Sequence, residues 1–328
     1  MSRRMDDPRT TLSAVRGLGL GAALLALLTL SGGSGGAAQD DVASPVASPT
    51  TGDCVANEGE PPAMTAAAAT PAADEEVTEP AATPVEGDAA DAAIAAVANY
   101  VHCYNAGDFE TVLTLVTDHF IETELGLADR DEAAEMAGEM TPEDAPQITL
   151  LSTGNVQSYE DDRMSVDVVY LLGEHQYVDS TIFLAMNDDD ELFLDSESYN
   201  LPQPEGDSTV VGVSIADDTT PLAFDQAADE ETGNRTITPF EVINLFVTNA
   251  GTEHHSVLVL RTEAGAVATP VAEGGVPAGD EFVGQLRLDP GEQATMALLN
   301  LPEGEYVVVD PAVEGSAVVL AVEQAEEA

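Results

Sequence analysis

From Asp88 onward the chain takes on a helical period. Ile94, Val97, Val101 and Tyr104 fall on one stripe, and "NAGD" (105–108) ends it with helix-breaking residues. Phe109, Val112, Leu113, Val116 and Phe120 share one face of a second helix, and "RDEAAEMAGEM" (130–140) makes a weaker third. The period then changes to two. Met164, Val166, Val168, Tyr170 and Leu172 alternate with polar residues, as do "YVDSTIFLAM" (177–186) and "ELFLDSESY" (191–199), which predicts half-buried antiparallel strands. "NDDDE" (187–191) is a hairpin tip between the last two, without the glycine and terminal glutamate of a calcium loop. Helices ahead of a curled antiparallel sheet predict an α+β fold for residues 89–201.

Past the Pro/Gly hinge "LPQPEGDST" (201–209) the helical period vanishes. Short apolar runs recur at 209–215, 240–249, 256–262, 282–288, 294–301, 305–310 and 316–323, most of them separated by turn signals such as "NAG", "DPGE" and "LPEGE". Seven such runs predict an all-β sandwich over residues 209–325. Upstream, residues 39–88 are mostly Ala, Pro, Thr and Glu with the near-repeat "VASPVASP", and large apolar side chains are scarce. Such a segment has no core to fold around and is expected to be a disordered spacer. Residues 1–38 have the form of an export signal: Arg3, Arg4, Arg9 and Arg16, the apolar run "LGLGAALLALLTL" (18–30), then small residues with Gly36 and Ala38 at cleavage-compatible positions. The apolar run is shorter than the ~20 residues of a spanning helix. The expected chain is secreted or held in the cell envelope with no spanning segment, and retention of the apolar run as an anchor stays open.

Charge narrows the partners. The chain carries 61 acidic residues against 9 basic ones, every basic residue is Arg, and the formal net charge is −52. Nucleic acid is excluded, because phosphate binding needs clustered Lys/Arg. Aromatics are 5% of the chain and Trp is absent, so the cores must rest on Val, Leu, Ile and Ala. The two cysteines, Cys54 and Cys103, permit one disulfide in an exported chain, with two free thiols the alternative.

The chemistry centres on "NAGTEHHSVLVL" (249–260), where His254 and His255 stand between a turn and a β-branched run. Adjacent residues of an extended chain point to opposite faces, so both imidazoles seldom reach one ion. His119 beside Asp118 lies at a helix end where sequence neighbours do not face each other, and His102 and His175 have no partner at a telling spacing. Gly-x-Ser-x-Gly, phosphate-loop and zinc-hydrolase motifs are absent.

Two resemblances add to this. "YVHCYNAGDFETVLTLVTDHFIETELG" (100–126) resembles the opening of the NTF2-like (SnoaL-like) superfamily, an α+β cone with helices on a curved sheet, and the element order extends the likeness over about 88–200. This resemblance implies an apolar ligand pocket, a possible homodimer, and in its ketosteroid-isomerase branch an oxyanion-donating tyrosine and a base carboxylate, which fall here on Tyr100 and Glu124. "VTNAGTEHHSVLVL" (247–260) and "LDPGEQATMALLNLPEGEYVVVD" (288–310) resemble the cupredoxins, the Greek-key plastocyanin- and azurin-like sandwich. That likeness puts the first copper histidine at His255, with His254 the alternative, and the copper cysteine at Asp310. A type 1 copper site needs two imidazoles and a thiolate, and neither Cys nor His follows His255. His254, His255 and Asp310 are left as a vestigial candidate metal set. The expectation is an exported, non-catalytic binding protein without cofactor, taking a small apolar ligand or a protein partner. The alternatives are copper binding or electron transfer, and isomerase or cyclase chemistry through Tyr100 and Glu124.

Overall fold

The computed structural model describes residues 54–62, 82–141, 145–159, 163–217, 222–226, 234–262, 281–311, 313 and 317–323. The expected signal segment and most of the expected spacer lie outside the described residues. The first half comprises β1 (Thr83–Pro84), α1 (Asp88–Ala106), α2 (Phe109–Thr114), α3 (Asp118–Thr123), α4 (Arg130–Glu139), β2 (Ile148–Ser158), β3 (Arg163–Leu172), β4 (Gln176–Met186) and β5 (Leu192–Tyr199). The second comprises β6 (Ser208–Ile215), β7 (Ala223–Phe224), β8 (Arg235–Ile237), β9 (Val242–Asn249), β10 (His255–Thr262), β11 (Glu281–Leu288), β12 (Gln293–Leu299), β13 (Gly304–Val309) and β14 (Ala317–Val322).

The α1 stripe buries Val97, Tyr100, Val101 and Tyr104, and Gly107 closes the helix at φ 72°, a left-handed cap that glycine takes without strain. Four helices form where three are expected. The apolar face from Phe109 to Phe120 is cut at Thr117, whose N–H bonds the Leu194 carbonyl and whose hydroxyl caps α3 by accepting from Phe120 N–H. Leu194 N–H in turn bonds the Leu115 carbonyl. This pairing to β5 pulls three residues out of helical geometry, which a continuous stripe does not show. Strand β2 was not expected either. It mixes Ser, Thr, Gly and Asn with few apolar residues and pairs with β3 through two register shifts.

The spacer expectation fails for residues 54–62. Asn57 Nδ2 donates to the Leu192 carbonyl at 2.9 Å, and Glu58 and Gly59 N–H donate to the Glu191 carboxylate at 3.0 and 2.8 Å. The acidic hairpin tip thus holds this segment through backbone donors, which composition alone does not reveal.

All seven expected runs of the second half are strands, with β7 and β8 in addition. They form two layers, β12-β9-β6-β7 and β11-β10-β13-β14-β8, over a core that includes Val211, Val213, Leu245, Val257, Tyr306 and Leu320. The Pro/Gly hinge does not separate two independent sheets. Strand β12 pairs with β4, so β1-β2-β3-β4-β12-β9-β6-β7, with β5 on β4, is one nine-stranded sheet. The joint is reinforced by Gln176, whose amide donates to the Gln285 carbonyl at 2.7 Å and accepts from Gln285 N–H at 2.9 Å.

Cys54 and Cys103 are free thiols that neighbour one another, and Cys103 Sγ donates to Asn99 Oδ1 at 3.8 Å. Burial, with Cys54 beside it, pushes the Cys103 thiol up to about 12. The thiolate is the attacking species, so oxidised glutathione should join the pair slowly at neutral pH and faster as pH rises, closing a loop worth roughly 4 kcal/mol of stability. Non-reducing alkylation mass spectrometry should then find no modifiable thiol, and unfolding should shift upward relative to Cys103→Ser. Two alkylated cysteines after oxidation would contradict the contact.

Candidate functional site

Two polar clusters and one cleft hold the candidate chemistry. The first cluster is inside the first half. Tyr170 and Tyr199 hydroxyls donate to the two oxygens of Glu197 at 3.0 and 3.1 Å, and Glu197 N–H donates to Glu124 Oε1 at 3.0 Å. Burial raises the Glu197 pKa, although the hydrogen bonds from Tyr170 and Tyr199 oppose it. Tyr100 joins on the other side. Its phenol is pushed well up by burial, then by Tyr104, Glu197 and Glu124 nearby, and its hydroxyl has no hydrogen-bond partner among the described residues. Tyr100 and Glu124, the pair that the isomerase resemblance implies, therefore do share one buried region, at 3% and 4% exposure. The carboxylate is tied to backbone. Glu197, missed at the sequence level, bonds to Glu124 through its backbone N–H; its place within a two-residue alternation between Phe193 and Tyr199 gave no sign of it.

The second cluster surrounds His255. Asn249 shapes the loop ahead of it. Its side-chain amide donates to the carbonyls of Glu253 and Asp289 at 2.8 and 2.9 Å, and its Oδ1 accepts from Gly251 N–H at 2.9 Å. The chain then enters β10 with His254 outward and His255 inward, as the strand period requires. His254 pairs with Asp289 at 2.8 Å on the surface, where such a pair contributes little. His255 is 3% exposed and bridges two carboxylates: Nδ1 donates to Asp310 Oδ2 at 2.5 Å and Nε2 to Asp217 Oδ1 at 3.2 Å. Both ring nitrogens can donate only in the imidazolium. Burial alone would lower the His255 pKa, but the bonds to Asp310 and Asp217 outweigh it and raise it. Asp217 is held down to about 2 by the Thr252 hydroxyl and N–H and then by His255. Nothing in the loop after β6 marked Asp217 as a partner in the sequence.

This geometry does not fit copper. Asp310 stands against His255, where the cupredoxin resemblance places a cysteine, but the two carboxylates take opposite edges of the ring, so three ligand atoms do not converge. His254 points away to Asp289. Met296 is packed in the sandwich core. A soft-donor set is absent among the described residues, and an imidazolium has no lone pair to offer a metal. The expected trio of His254, His255 and Asp310 is thus corrected to a buried His255–Asp310–Asp217 ion-pair array. Of the other histidines considered, His119 is exposed while its neighbour Asp118 pairs with Arg130 at 2.8 Å.

The cleft lies at the junction of the halves. It has a volume of about 270 Å³ and is lined by Tyr177, Tyr199, Leu201, Phe246, Leu286 and Met296 together with polar neighbours. Tyr199 connects it to the first cluster through its bond to Glu197. Neither Tyr100 nor Glu124 lines it.

For the ion-pair array, Asp310→Ala should destabilise the protein by about 3 kcal/mol, because it leaves a buried cation with one partner removed. The pH dependence has a defined sign. The folded His255 pKa lies above its ordinary 6.5, so this contribution is complete below about pH 6.5 and declines as pH rises through the folded value. Asp217 contributes above its ordinary 3.8 and loses that contribution as pH falls towards about 2. Thermal unfolding of wild type and His255→Gln between pH 5 and 9 should show a gap that narrows on the alkaline side; a constant gap would contradict an imidazolium.

No protein-family model matches the chain, and neither does any curated protein. Solved structures resemble its C-terminal part. An auracyanin from Roseiflexus castenholzii is 15% identical, with 36% of this chain and 99% of that chain covered and a TM-score of 0.25. Auracyanin A from Chloroflexus aurantiacus, described as a "blue" copper protein, is 13% identical over 35% and 99%, with a TM-score of 0.24. Reduced rusticyanin is 13% identical over 37% and 82%, with a TM-score of 0.28. At those identities and TM-scores the likeness assigns neither a family nor a chemistry to this chain.

Proposed function

We propose that this is an exported, non-catalytic binding protein of the cell envelope or extracellular space, which takes a small, mostly apolar ligand in the junction cleft. In this reading the first half is an NTF2-like module, and the second is a cupredoxin-like sandwich whose copper position has become an ion-pair strut. The observation that carries the proposal is the cleft's apolar wall. Leu201 is 66% exposed and Phe246 37%, and both line it. Large apolar side chains left open beside one another mark binding surfaces. The volume falls just below the ~300–1,000 Å³ of drug-sized sites, which favours a small or partly enclosed ligand. Electron transfer is disfavoured by the donor set around His255, and isomerase chemistry by the enclosure of Glu124. Among the described residues no helix is long and apolar enough to cross a membrane. Pairing of two copies through the first half is part of the proposal by the NTF2 resemblance.

Nile red serves as the probe, since a neutral dye avoids repulsion by the acidic surface. Its fluorescence should rise saturably with wild type. Leu201→Asp and Phe246→Asp should each weaken binding about tenfold, the loss of roughly 1.4 kcal/mol of apolar contact, and His255→Gln should leave it unchanged. Equal affinity in all four proteins, or no saturable signal, would sink the proposal.

A further inference from the structure

His175 was set aside in the sequence for lack of a partner at a useful spacing. The fold supplies two, one of them more than a hundred residues away. His175 lies between β3 and β4 in the first half, Glu174 precedes it, and Glu281 opens β11 in the second half. A ring nitrogen of His175 and one carboxylate oxygen from each glutamate lie within 4.8 Å of one another. We propose that Glu174, His175 and Glu281 form a site for a first-row divalent cation of the zinc type, which bridges the two halves of the molecule.

Three features support this. First, His175 is a prepared ligand. It is 9% exposed, and its Nδ1 lies 2.9 Å from the Leu299 carbonyl. A carbonyl only accepts, so the proton sits on Nδ1 and the lone pair on Nε2, the second-shell arrangement that orients metal-binding histidines. His255, by contrast, has both nitrogens occupied by carboxylates. Second, one imidazole and two carboxylates suit Zn(II) or Co(II), with water in the open position. Bonds of 2.0–2.2 Å in a tetrahedron place ligand atoms ~3.4 Å apart. Both glutamates are exposed, so their side chains can close that remaining distance. Third, the existing cation partner is weakly placed. Arg261 Nη1 approaches Glu281 Oε2 only to 3.5 Å with both side chains substantially exposed, so a metal can take over that carboxylate. The location gives the ion a mechanical role. Residue Gln176, next to His175, makes the paired amide bonds to Gln285 that join the halves, and both residues line the cleft. An ion here stiffens the joint whatever the cleft binds.

The test uses the full chain, stripped of metal and kept in millimolar Mg(II) to saturate diffuse binding by the acidic surface. Co(II) is titrated and followed by its visible d–d absorption, then displaced by Zn(II) in a calorimeter. One saturable Co(II) spectrum is expected per chain. His175→Ala and Glu281→Gln should each weaken binding by about 10- to 100-fold or more, while His255→Gln and Asp189→Asn should not. Zn(II) should raise the unfolding temperature of the wild type and leave that of Glu281→Gln unmoved. Glu281→Gln keeps the His175–Leu299 bond, so it isolates ligation from damage to the joint. Absence of a saturable spectrum, or its survival in Glu281→Gln, would overturn the proposal, as would its loss in His255→Gln alone.

Discussion

A reciprocal pair of amide hydrogen bonds between Gln176 and Gln285 holds the halves of this molecule as one body. Each residue is 7% exposed, so the Gln176 side chain and the Gln285 backbone satisfy each other away from water. Without Gln176 the Gln285 peptide group would lose its partner in the interior, which costs ~1–3 kcal/mol. The strand contact beside it is short, two residue pairs between β4 and β12, with Leu299 N–H bonding the His175 carbonyl just beyond. The Gln176 amide and the His175 ring, bonded to the Leu299 carbonyl, add side-chain bonds to this brief main-chain pairing. Two features lie next to this joint: the apolar cleft and the Glu174–His175–Glu281 group.

The His255 array shows how one buried side chain can fix three loops. Three separate segments, the loop after β6, the start of β10 and the end of β13, need to be brought to one point. A thiolate and imidazoles can do this through an ion. Here Asp310, Asp217 and a protonated His255 do it through charge-assisted hydrogen bonds, which are stronger than neutral ones. Buried ion pairs are weak evidence for net stability, because desolvation offsets most of the attraction. Their directional bonds still define where the loops go. In a chain with a formal net charge of −52, an imidazolium is also a scarce resource, and this one is placed between two carboxylates that would otherwise repel.

Local periodicity carried most of the elements and little of the site. The Val97–Val101–Tyr104 stripe, the Asn-Ala-Gly-Asp turn, the acidic hairpin tip and the seven β runs are all encoded by neighbours in sequence, and they were legible. Thr117, Glu197, Asp217 and Gln176 act through partners 78, 73, 38 and 109 residues away. Those contacts leave no periodic trace, since a buried polar residue in a strand looks the same whether its partner is water or a distant backbone. The docking of residues 54–62 belongs to the same class: backbone N–H groups meet a single carboxylate, and backbone is invisible to composition. His255 and Asp310 were named in the sequence only as part of a candidate metal set with His254; in the structure the His255 ring donates to Asp310. Asp217, which takes the other edge of the ring, left no mark in the sequence.

The charge distribution constrains what the junction cleft can receive. Four of the five arginines in the described residues have partners within the fold. Arg130 pairs with Asp118 and donates to the carbonyls of Leu113 and Val116; Arg163 stacks on Tyr159 and Phe183. Arg235 donates to the Gln226 carbonyl, Arg261 faces Glu281, and Arg287 lies over Gly126. The chain has no lysine, and its formal net charge is −52. The long-range field is therefore unopposed and negative, which concentrates cations near the surface and repels carboxylates and phosphates. At the junction cleft that field meets an apolar wall that includes Phe246 and Leu201, so a neutral or cationic probe meets less repulsion there than an anion of the same shape.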